Sequence, residues 1–168
     1  HCPGDDVVAM HYYGNDITWK QLFEQVDATA RGLKALGLGE GDAIPTFLRA
    51  VPEFIYLLLA AEKIGASILC RDNTLEENVE VRRSGAKIIF TQDYLSQREL
   101  NSYRHGSDTQ IAVLVSPYRS AHYASMPAHI QKYIDSNYPD KPAYGGRTMS
   151  WDWILEMGEK YTGQVEET

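Results

Sequence analysis

Residues 64–70 read Ile64-Gly65-Ala66-Ser67-Ile68-Leu69-Cys70, and residues 84–90 follow the same plan with Ser84-Gly85-Ala86-Lys87-Ile88-Ile89-Phe90. In each stretch a Gly-Ala pair precedes an apolar segment that is typical of a buried strand. The two Gly-Ala pairs are 20 residues apart, which leaves room for one strand, one helix and two tight turns. This spacing predicts a parallel sheet whose strands are joined by crossover helices.

Two amphipathic or apolar helices are predicted before the first of these strands. Residues 18–36 carry apolar side chains three and four positions apart, as in a helix with one buried face, and Thr18 with Gln21 forms a capping box. Residues 52–64 follow with a long apolar run, and Pro52 suits the first turn of a helix.

Further elements continue the alternation of strand and helix. Thr74 and Glu77 form another capping box, which predicts a crossover helix over 75–84. A helix over 93–103 and an apolar strand over 111–115 follow.

The flanks of this core have a different character. Residues 7–13 and the turn 14–16 predict a small amino-terminal hairpin. Residues 43–48 predict a short strand, in which Pro45 removes one backbone donor. Together these patterns predict an α/β fold with a largely parallel sheet of about four strands, flanked by helices in three layers.

The carboxyl-terminal part is predicted to be a Pro- and Tyr-rich excursion with a short helix near 130–134. Its characteristic residues are Pro117, Tyr118, Tyr123, Pro127, Tyr133, Tyr138, Pro139, Pro142 and Tyr144. We therefore interpret 1–168 as a single domain, with an α/β core over 1–116 and the excursion over 117–168.

Composition and charge exclude several classes of protein. The net charge of −7 argues against nucleic-acid binding, which needs clustered Lys and Arg. The strongest apolar run, residues 54–61, is far shorter than the roughly 20 residues of a membrane span, so we expect a buried helix. Residues 1–6 lack the basic and apolar regions of a signal peptide, and the chain is expected to begin inside a longer protein.

Cysteines and histidines offer no metal or disulfide framework. Cys2 and Cys70 are far apart, which favours a reducing compartment such as the cytoplasm. Cys70 is predicted to be a buried strand thiol. The other candidates have no spacing that suits a metal site or a catalytic group; they are His11, His105, His122 and His129. We interpret Arg71, Arg82 and Arg83 as solvated charges.

Two glycine-rich stretches are the candidates for phosphate binding, and both are interpreted as turns. Residues 37–42 follow a helix and precede a strand, whereas a phosphate cradle follows a strand and precedes a helix. Glu40 and Asp42 would also repel phosphate, and Gly37 suits the left-handed end of a helix. Residues 145–148 lack both a leading apolar strand and a Lys. From the sequence we assign no catalytic, cofactor-binding or metal-binding residue to this chain.

The order of the motifs nevertheless resembles a known family. It is similar to the amino-terminal domain of the adenylate-forming superfamily. The motifs that carry the resemblance are, in order, residues 17–22, an amphipathic helix, residues 36–42, an apolar strand, Pro52-Glu53-Phe54 and Lys63-Ile64-Gly65-Ala66. That superfamily includes acyl-CoA synthetases, firefly luciferase and the adenylation domains of peptide synthetases. The match covers residues 7–91 and extends to Ser150-Trp151; the departures are Pro45, Ala50-Val51 and Arg71-Asp72-Asn73.

The resemblance implies a parent enzyme with a defined activity. Such an enzyme activates a carboxylate with ATP and Mg to give an acyl-adenylate, and then transfers the acyl group to coenzyme A. The family's Ser/Thr/Gly-rich loop ending in Pro-Lys-Gly would follow a segment like residues 149–154, and it does not occur in these 168 residues. We therefore expect an inactive amino-terminal fragment of a cytoplasmic acid-CoA ligase that acts on a fatty or other small organic acid.

Two alternatives remain open at this point. One is the adenylation domain of a peptide synthetase, and the other is a non-catalytic binding module of the same fold. An enzyme fragment should expose an apolar face that the remainder of its parent covers, and such a face could also drive self-association. Tyr118 and Tyr123 lie where the family's chain approaches the substrate, but no role is assigned to them.

Overall fold

The structure is a computed structural model, and it describes residues 4–70, 83–93, 100–101, 105, 107–137 and 144–165. In chain order its main elements are β1 (Val8–Tyr12), β2 (Asn15–Thr18), α1 (Trp19–Ala35), β3 (Ala43–Thr46), α2 (Pro52–Lys63), β4 (Ser67–Cys70), β5 (Ile88–Gln92), β6 (Ile111–Val115), α3 (Ala128–Asn137), β7 (Thr148–Ser150) and α4 (Trp151–Glu159). Up to β4 these elements follow the predicted alternation of strand and helix.

Five strands form one parallel sheet in the order β4-β3-β5-β6-β7, and β1 pairs with β2 in a separate antiparallel hairpin. The α/β fold, the parallel sheet and the hairpin are thus confirmed. Strand β7 adds one strand to the four that were expected, because a segment of three residues carries too little apolar pattern to predict a strand. The order in which strands are added reverses between β3 and β5: β4 lies on one side of this point, and β6 and β7 lie on the other.

Helices α1, α2 and α4 form a layer on one face of the sheet, with α1 packed against the other two. The predicted capping box opens α1: the Thr18 hydroxyl accepts from the Gln21 backbone, and the Gln21 side chain accepts from the Thr18 backbone. Glycines allow α1 and α4 to touch. A Cβ added at Gly32 would lie 2.3 Å from the Ile154 carbonyl oxygen, and one at Gly158 would lie 2.6 Å from the Ala28 carbonyl oxygen.

A separate apolar cluster is formed by Phe47, Ile89, Leu100, Ala112 and Leu114. Leu100 belongs to the predicted helix 93–103, of which 94–99 and 102–103 lie outside the described residues. The predicted helix 75–84 also lies outside them, except for Arg83 and Ser84, which are in a turn.

Pro45 lies within β3 without breaking the sheet. Strand β3 pairs with β5 at one position, where Thr46 lies opposite Phe90. Just after it, the Phe47 amide donates to the Phe90 carbonyl at 2.8 Å. Residues 45 and 47 face the same neighbour, since alternate residues of a strand do so. The missing donor of Pro45 therefore falls just before β3 begins to pair with β5.

Two predictions about side chains and lengths need correction. Cys70 was predicted to be buried, but its thiol is exposed. It is the last residue of β4, which lies at the end of the strand order, and only β3 pairs with it among the described strands. Helix α3 is also longer than the predicted 130–134. None of the described helices combines the length and the apolar character needed to cross a membrane.

Candidate functional site

Several of the buried polar residues among those described lie at the carboxyl ends of the parallel strands, namely Thr46, Glu53, Thr91 and Gln92. Helices α2 and α4 begin at this edge, because each follows a strand of the sheet. In open α/β sheets, ligands bind outside the carboxyl ends of the strands, where the strand order changes direction. The edge is therefore the place to look for a site.

A buried carboxylate lies in the first turn of α2. Glu53 is 1% exposed, and its Oε1 accepts from Arg119 Nη1 at 3.2 Å and from the Ser120 hydroxyl at 2.5 Å. Its Oε2 is buried and has no hydrogen-bond partner in the part of the chain that the structure describes. A buried carboxylate is costly unless it is paired, so Arg119 is what makes Glu53 tolerable at this position.

Arg119 also reaches the first turn of α4, where its second nitrogen, Nη2, donates to Asp152. Burial lowers the pKa of Arg119, but the hydrogen bond and the charge of Asp152, together with Glu53, outweigh that effect and raise it. The Arg119 guanidinium thus links α2 and α4, which both begin at the carboxyl edge of the sheet. We call Glu53, Arg119, Ser120 and Asp152 the arginine clamp.

The clamp is joined to the β1–β2 hairpin by the segment 116–126. The Tyr12 hydroxyl donates to the Pro117 carbonyl, and Asn15 Nδ2 donates to the Ser120 carbonyl at 2.7 Å. The His122 amide donates to the Tyr13 carbonyl at 3.0 Å. The excursion therefore begins as a segment that is fixed to the hairpin and to two helices.

Two tyrosines near the clamp are held in their neutral form. Burial, reinforced by the Tyr13 and Glu53 charges, raises the pKa of Tyr12 to about 12. Burial and the Glu53 charge likewise raise the pKa of Tyr56 to about 12, although Arg119 opposes the rise. Neither phenol is prepared to act as a base near neutral pH.

Asp93 follows β5 at the same edge, on the other side of the change in strand order. Burial raises the pKa of its carboxyl, while hydrogen bonds from its own backbone and from Ser116 oppose the rise. Its Oδ1 is buried and lacks a hydrogen-bond partner among the described residues. Its charge also raises the pKa of Tyr118 and Tyr144, though less than burial does.

Two grooves open near the clamp, and they differ in chemistry. The first, of about 340 Å³, is largely polar; it is lined by Asn15, Ile17, Gln21, Gln25, Tyr56, Arg119, Ser120 and Leu155. The second, of about 450 Å³, is largely apolar; its lining is Met10, Tyr12, Leu48, Arg49, Ala50, Val51, Pro52, Phe54, Ile55 and Cys70.

In the two glycine-rich stretches, several backbone amides are already hydrogen-bonded within the chain. Residues 37–42 connect α1 to the amino end of β3, opposite the carboxyl edge; the Gly39 amide donates to Asp42 Oδ2 at 2.8 Å and the Gly41 amide to the Gly65 carbonyl at 3.2 Å. Residues 145–148 close a turn in which Gly145 and Thr148 exchange backbone hydrogen bonds. A phosphate cradle needs free amides aimed at the ligand, and the amides of Gly39, Gly41, Gly145 and Thr148 are already bonded.

Two other residues considered from the sequence, His11 and Tyr123, have carboxylate partners outside the clamp. His11 Nδ1 lies 2.6 Å from Asp16 Oδ1 on the hairpin surface, and Tyr123 donates to the Asp135 carboxylate at 2.8 Å. Arg83 is exposed, whereas Arg71 and Arg82 lie outside the described residues. Among the described residues, no group of three or more His, Cys, Asp or Glu could hold a metal ion.

Sequence reasoning missed Glu53 and Arg119. A signal for Glu53 was present, because a carboxylate at the start of an apolar helix needs a partner when the helix is buried. Arg119 carried no signal, since its partners lie 66 and 33 residues away in sequence.

Comparison with known proteins places this fold in a family. Residues 3–151 match the family described as AMP-binding enzyme. The chain belongs to the AMP-binding enzyme family. Of its relatives, acetyl-coenzyme A synthetase of Pseudoalteromonas atlantica is 30% identical over 96 residues, a match that covers 52% of this chain and 15% of that enzyme. Surfactin synthase subunit 1 of Bacillus subtilis is 32% identical over 92 residues, covering 52% of this chain and 2% of that protein.

Solved structures share the fold of this AMP-binding family chain at low sequence identity. Coronafacic acid ligase from Pectobacterium brasiliense has a TM-score of 0.66 and 16% identity, and the match covers 95% of this chain and 28% of that one. O-succinylbenzoate coenzyme A synthetase from Bacillus subtilis has a TM-score of 0.52 and 21% identity, covering 67% of this chain and 23% of that one. The chain thus spans 23% to 28% of these solved enzymes, and 15% or less of the two curated relatives.

Proposed function

We propose that this chain is the amino-terminal portion of an ATP-dependent acid-CoA ligase. Such a ligase converts a carboxylate and ATP to an acyl-adenylate and pyrophosphate, and then transfers the acyl group to coenzyme A. The observation that carries the proposal is the family match over 3–151. The names of two relatives support the CoA acceptor, namely acetyl-coenzyme A synthetase and the 3-hydroxypropionyl-coenzyme A synthetase of Metallosphaera sedula.

The proposed substrate is a small organic or fatty acid, and the proposed location is the cytoplasm. The first point is supported by the two small acids in the relatives' names. The second is supported by the low cysteine content, which suits a reducing compartment. ATP, Mg and coenzyme A would be cofactors or substrates of the parent enzyme.

Within the ligase, we propose that this chain supplies structure to the site and no catalytic residue. The arginine clamp holds the starts of α2 and α4 and the segment 116–126 together at the carboxyl edge. The bonded amides of the two glycine-rich stretches support this proposal, because they are not available to a phosphate. The isolated 168 residues should therefore neither bind ATP tightly nor form an adenylate.

Pyrophosphate exchange tests this proposal directly. The parent enzyme, expressed from its full coding region, should exchange pyrophosphate into ATP when acetate, propionate or hexanoate is added, and should form acyl-CoA when coenzyme A follows. The isolated chain should show no exchange above a control without protein. Exchange by the isolated chain would contradict its proposed inactivity, and a parent with no acid-dependent exchange would contradict the ligase.

A second candidate is the adenylation domain of a peptide synthetase, which the match to surfactin synthase subunit 1 favours. The same assay separates the two. Exchange that depends on amino acids and not on simple acids would identify the peptide-synthetase activity. If the parent exchanges with neither, the non-catalytic binding module becomes the leading interpretation.

A further inference from the structure

The apolar groove continues onto exposed apolar side chains of α2. Ile55 lines the groove and is 36% exposed, and Leu58 is 40% exposed. These two residues are three positions apart, so they lie on the same face of the helix. Groove and helix face together form one surface, which we call the α2 face.

Strand β4 borders the α2 face, and it is the end strand of the sheet among the described strands. Its last residue, Cys70, lines the groove, and β4 pairs with β3 alone among the described strands. An open strand edge beside exposed apolar side chains invites pairing and aggregation, and native proteins cover such edges. The surface extends over a helix, a groove and a strand end, which is more than a small ligand covers.

We propose that the α2 face is the docking surface for the part of the parent ligase that lies beyond these 168 residues. This inference rests on the proposed function. It is supported by the lengths compared above: the matched region is 15% of acetyl-coenzyme A synthetase and 28% of coronafacic acid ligase, so most of each enzyme lies outside it. The rest of such an enzyme supplies a covalently linked partner that is always present.

The lining of the groove defines the chemistry of the docking segment. Arg49 is the one charged residue among the described lining residues, and its side chain is exposed. The segment should therefore insert a large apolar side chain between Met10, Phe54 and Ile55 and place a carboxylate opposite Arg49. A rim charge of this kind adds mainly to specificity, whereas the apolar contact supplies the affinity.

Cys70 provides a test that needs no disruptive mutation. With Cys2 replaced by serine, alkylation by N-ethylmaleimide, followed by mass spectrometry of the peptide that contains Cys70, reports the accessibility of Cys70, since a thiol must be reachable to react. We expect Cys70 to react quickly in the isolated chain and about tenfold more slowly in the full-length parent. The matched control is Glu24→Cys on the exposed face of α1, in a background with Cys2 and Cys70 changed to serine. Its rate should be the same in both proteins.

Each outcome decides the proposal. Equal rates for Cys70 in the two proteins would overturn it, and so would equal protection of Cys70 and of the Glu24→Cys control. Protection that appears in the isolated chain as its concentration rises would assign the α2 face to a second copy instead. Arg49→Glu in the parent should speed the alkylation of Cys70, and an unchanged rate would rule out the acidic partner.

The failure of this inference is distinguishable from failure of the proposed function. If the parent forms acyl-CoA while Cys70 stays fully reactive, the ligase proposal stands and the docking surface is contradicted. If the parent protects Cys70 but shows no acid-dependent pyrophosphate exchange, the docking surface stands and the ligase proposal is contradicted.

Discussion

The layer formed by α1, α2 and α4 is held together differently from the part of the excursion between β6 and β7, which the structure describes over 116–137. The helices pack through fully buried apolar residues such as Leu33, Leu57 and Ile154. The excursion is fixed through polar contacts, above all those of Arg119, and none of the described side chains of α3 is fully buried. The difference shows that periodic apolar patterns build the body of this fold, whereas a few long-range hydrogen bonds place the segment at the carboxyl edge.

The largest expected effect is in the helical layer, at the contact between α1 and α4. Gly32→Ala places a Cβ 2.3 Å from the Ile154 carbonyl oxygen, and that backbone atom cannot rotate away. Overpacking of this kind costs about 3 kcal/mol, even though alanine favours a helix over glycine by about 1 kcal/mol. Urea unfolding should show a lower midpoint with an unchanged slope.

Gly39→Ala is the matched control for this substitution. Its Cβ would meet Lys34 Nζ at 3.5 Å, an ordinary contact with the end of a flexible side chain. We expect its free energy of unfolding to stay close to that of the natural chain. If Gly32→Ala were instead neutral or stabilising, the close approach of α1 and α4 would be wrong.

The second effect should fall on the excursion. Glu53→Gln removes the buried charge that pairs with Arg119. Breaking a fully buried pair costs about 3–5 kcal/mol; because the Arg119 side chain is 29% exposed and keeps Asp152, we expect a smaller loss of about 2 kcal/mol. Hydrogen exchange should accelerate in 116–126 more than in α1.

Asp152→Asn removes the exposed partner of Arg119, and its effect on stability is to be compared with that of Glu53→Gln. The Asp152 side chain is 65% exposed, and pairs with an exposed partner contribute about 0.5 kcal/mol. Equal losses for Glu53→Gln and Asp152→Asn would mean that burial of Glu53 does not determine the strength of the clamp. Uniform acceleration of exchange in α1 and in 116–126 would contradict the division into two regions.

Much of the helical layer could be predicted from sequence because its signals are local. The capping box at Thr18 and the apolar spacing of α1 fix a helix from contacts within a few residues. The repeated Gly-Ala pairs predicted the parallel strands β4 and β5, and both strands are confirmed. The exposure of Cys70 was predicted wrongly, because sequence alone does not say which strand lies at the end of the sheet.

The candidate site could not be predicted because its contacts are distant in sequence. Tyr12 and Asn15 bond to residues 105 positions away, and Glu53 bonds to Arg119 across 66 positions. Hydrogen bonds of this range leave no periodic pattern. What the sequence does contain is Glu53 in the first turn of an apolar helix, which signals that a cation must lie nearby.

The smallest expected effect on stability at neutral pH concerns Tyr12 and Tyr56, which lie between the helical layer and the segment 116–126. Their pKa values are about 12 in the fold, above the value of 10 for an exposed phenol. A group whose pKa is raised by folding stabilises the fold fully below its unfolded pKa and loses that contribution as the pH rises through its folded pKa. Stability should therefore be unaffected near pH 7 and decline between about pH 10 and about pH 12.

Tyr12 and Tyr56 should differ in where this loss appears. Ionised Tyr12 can no longer donate to the Pro117 carbonyl, so alkaline pH should release 116–126 before it disturbs the helical layer. Tyr56→Phe should keep its stability at pH 7 and flatten the alkaline decline, as measured by urea unfolding together with tyrosinate absorbance. Tyr12→Phe should already lose stability at pH 7, because it lacks the hydrogen bond at every pH. If both variants behaved alike at neutral pH, the tie between Tyr12 and Pro117 would contribute nothing to holding the excursion.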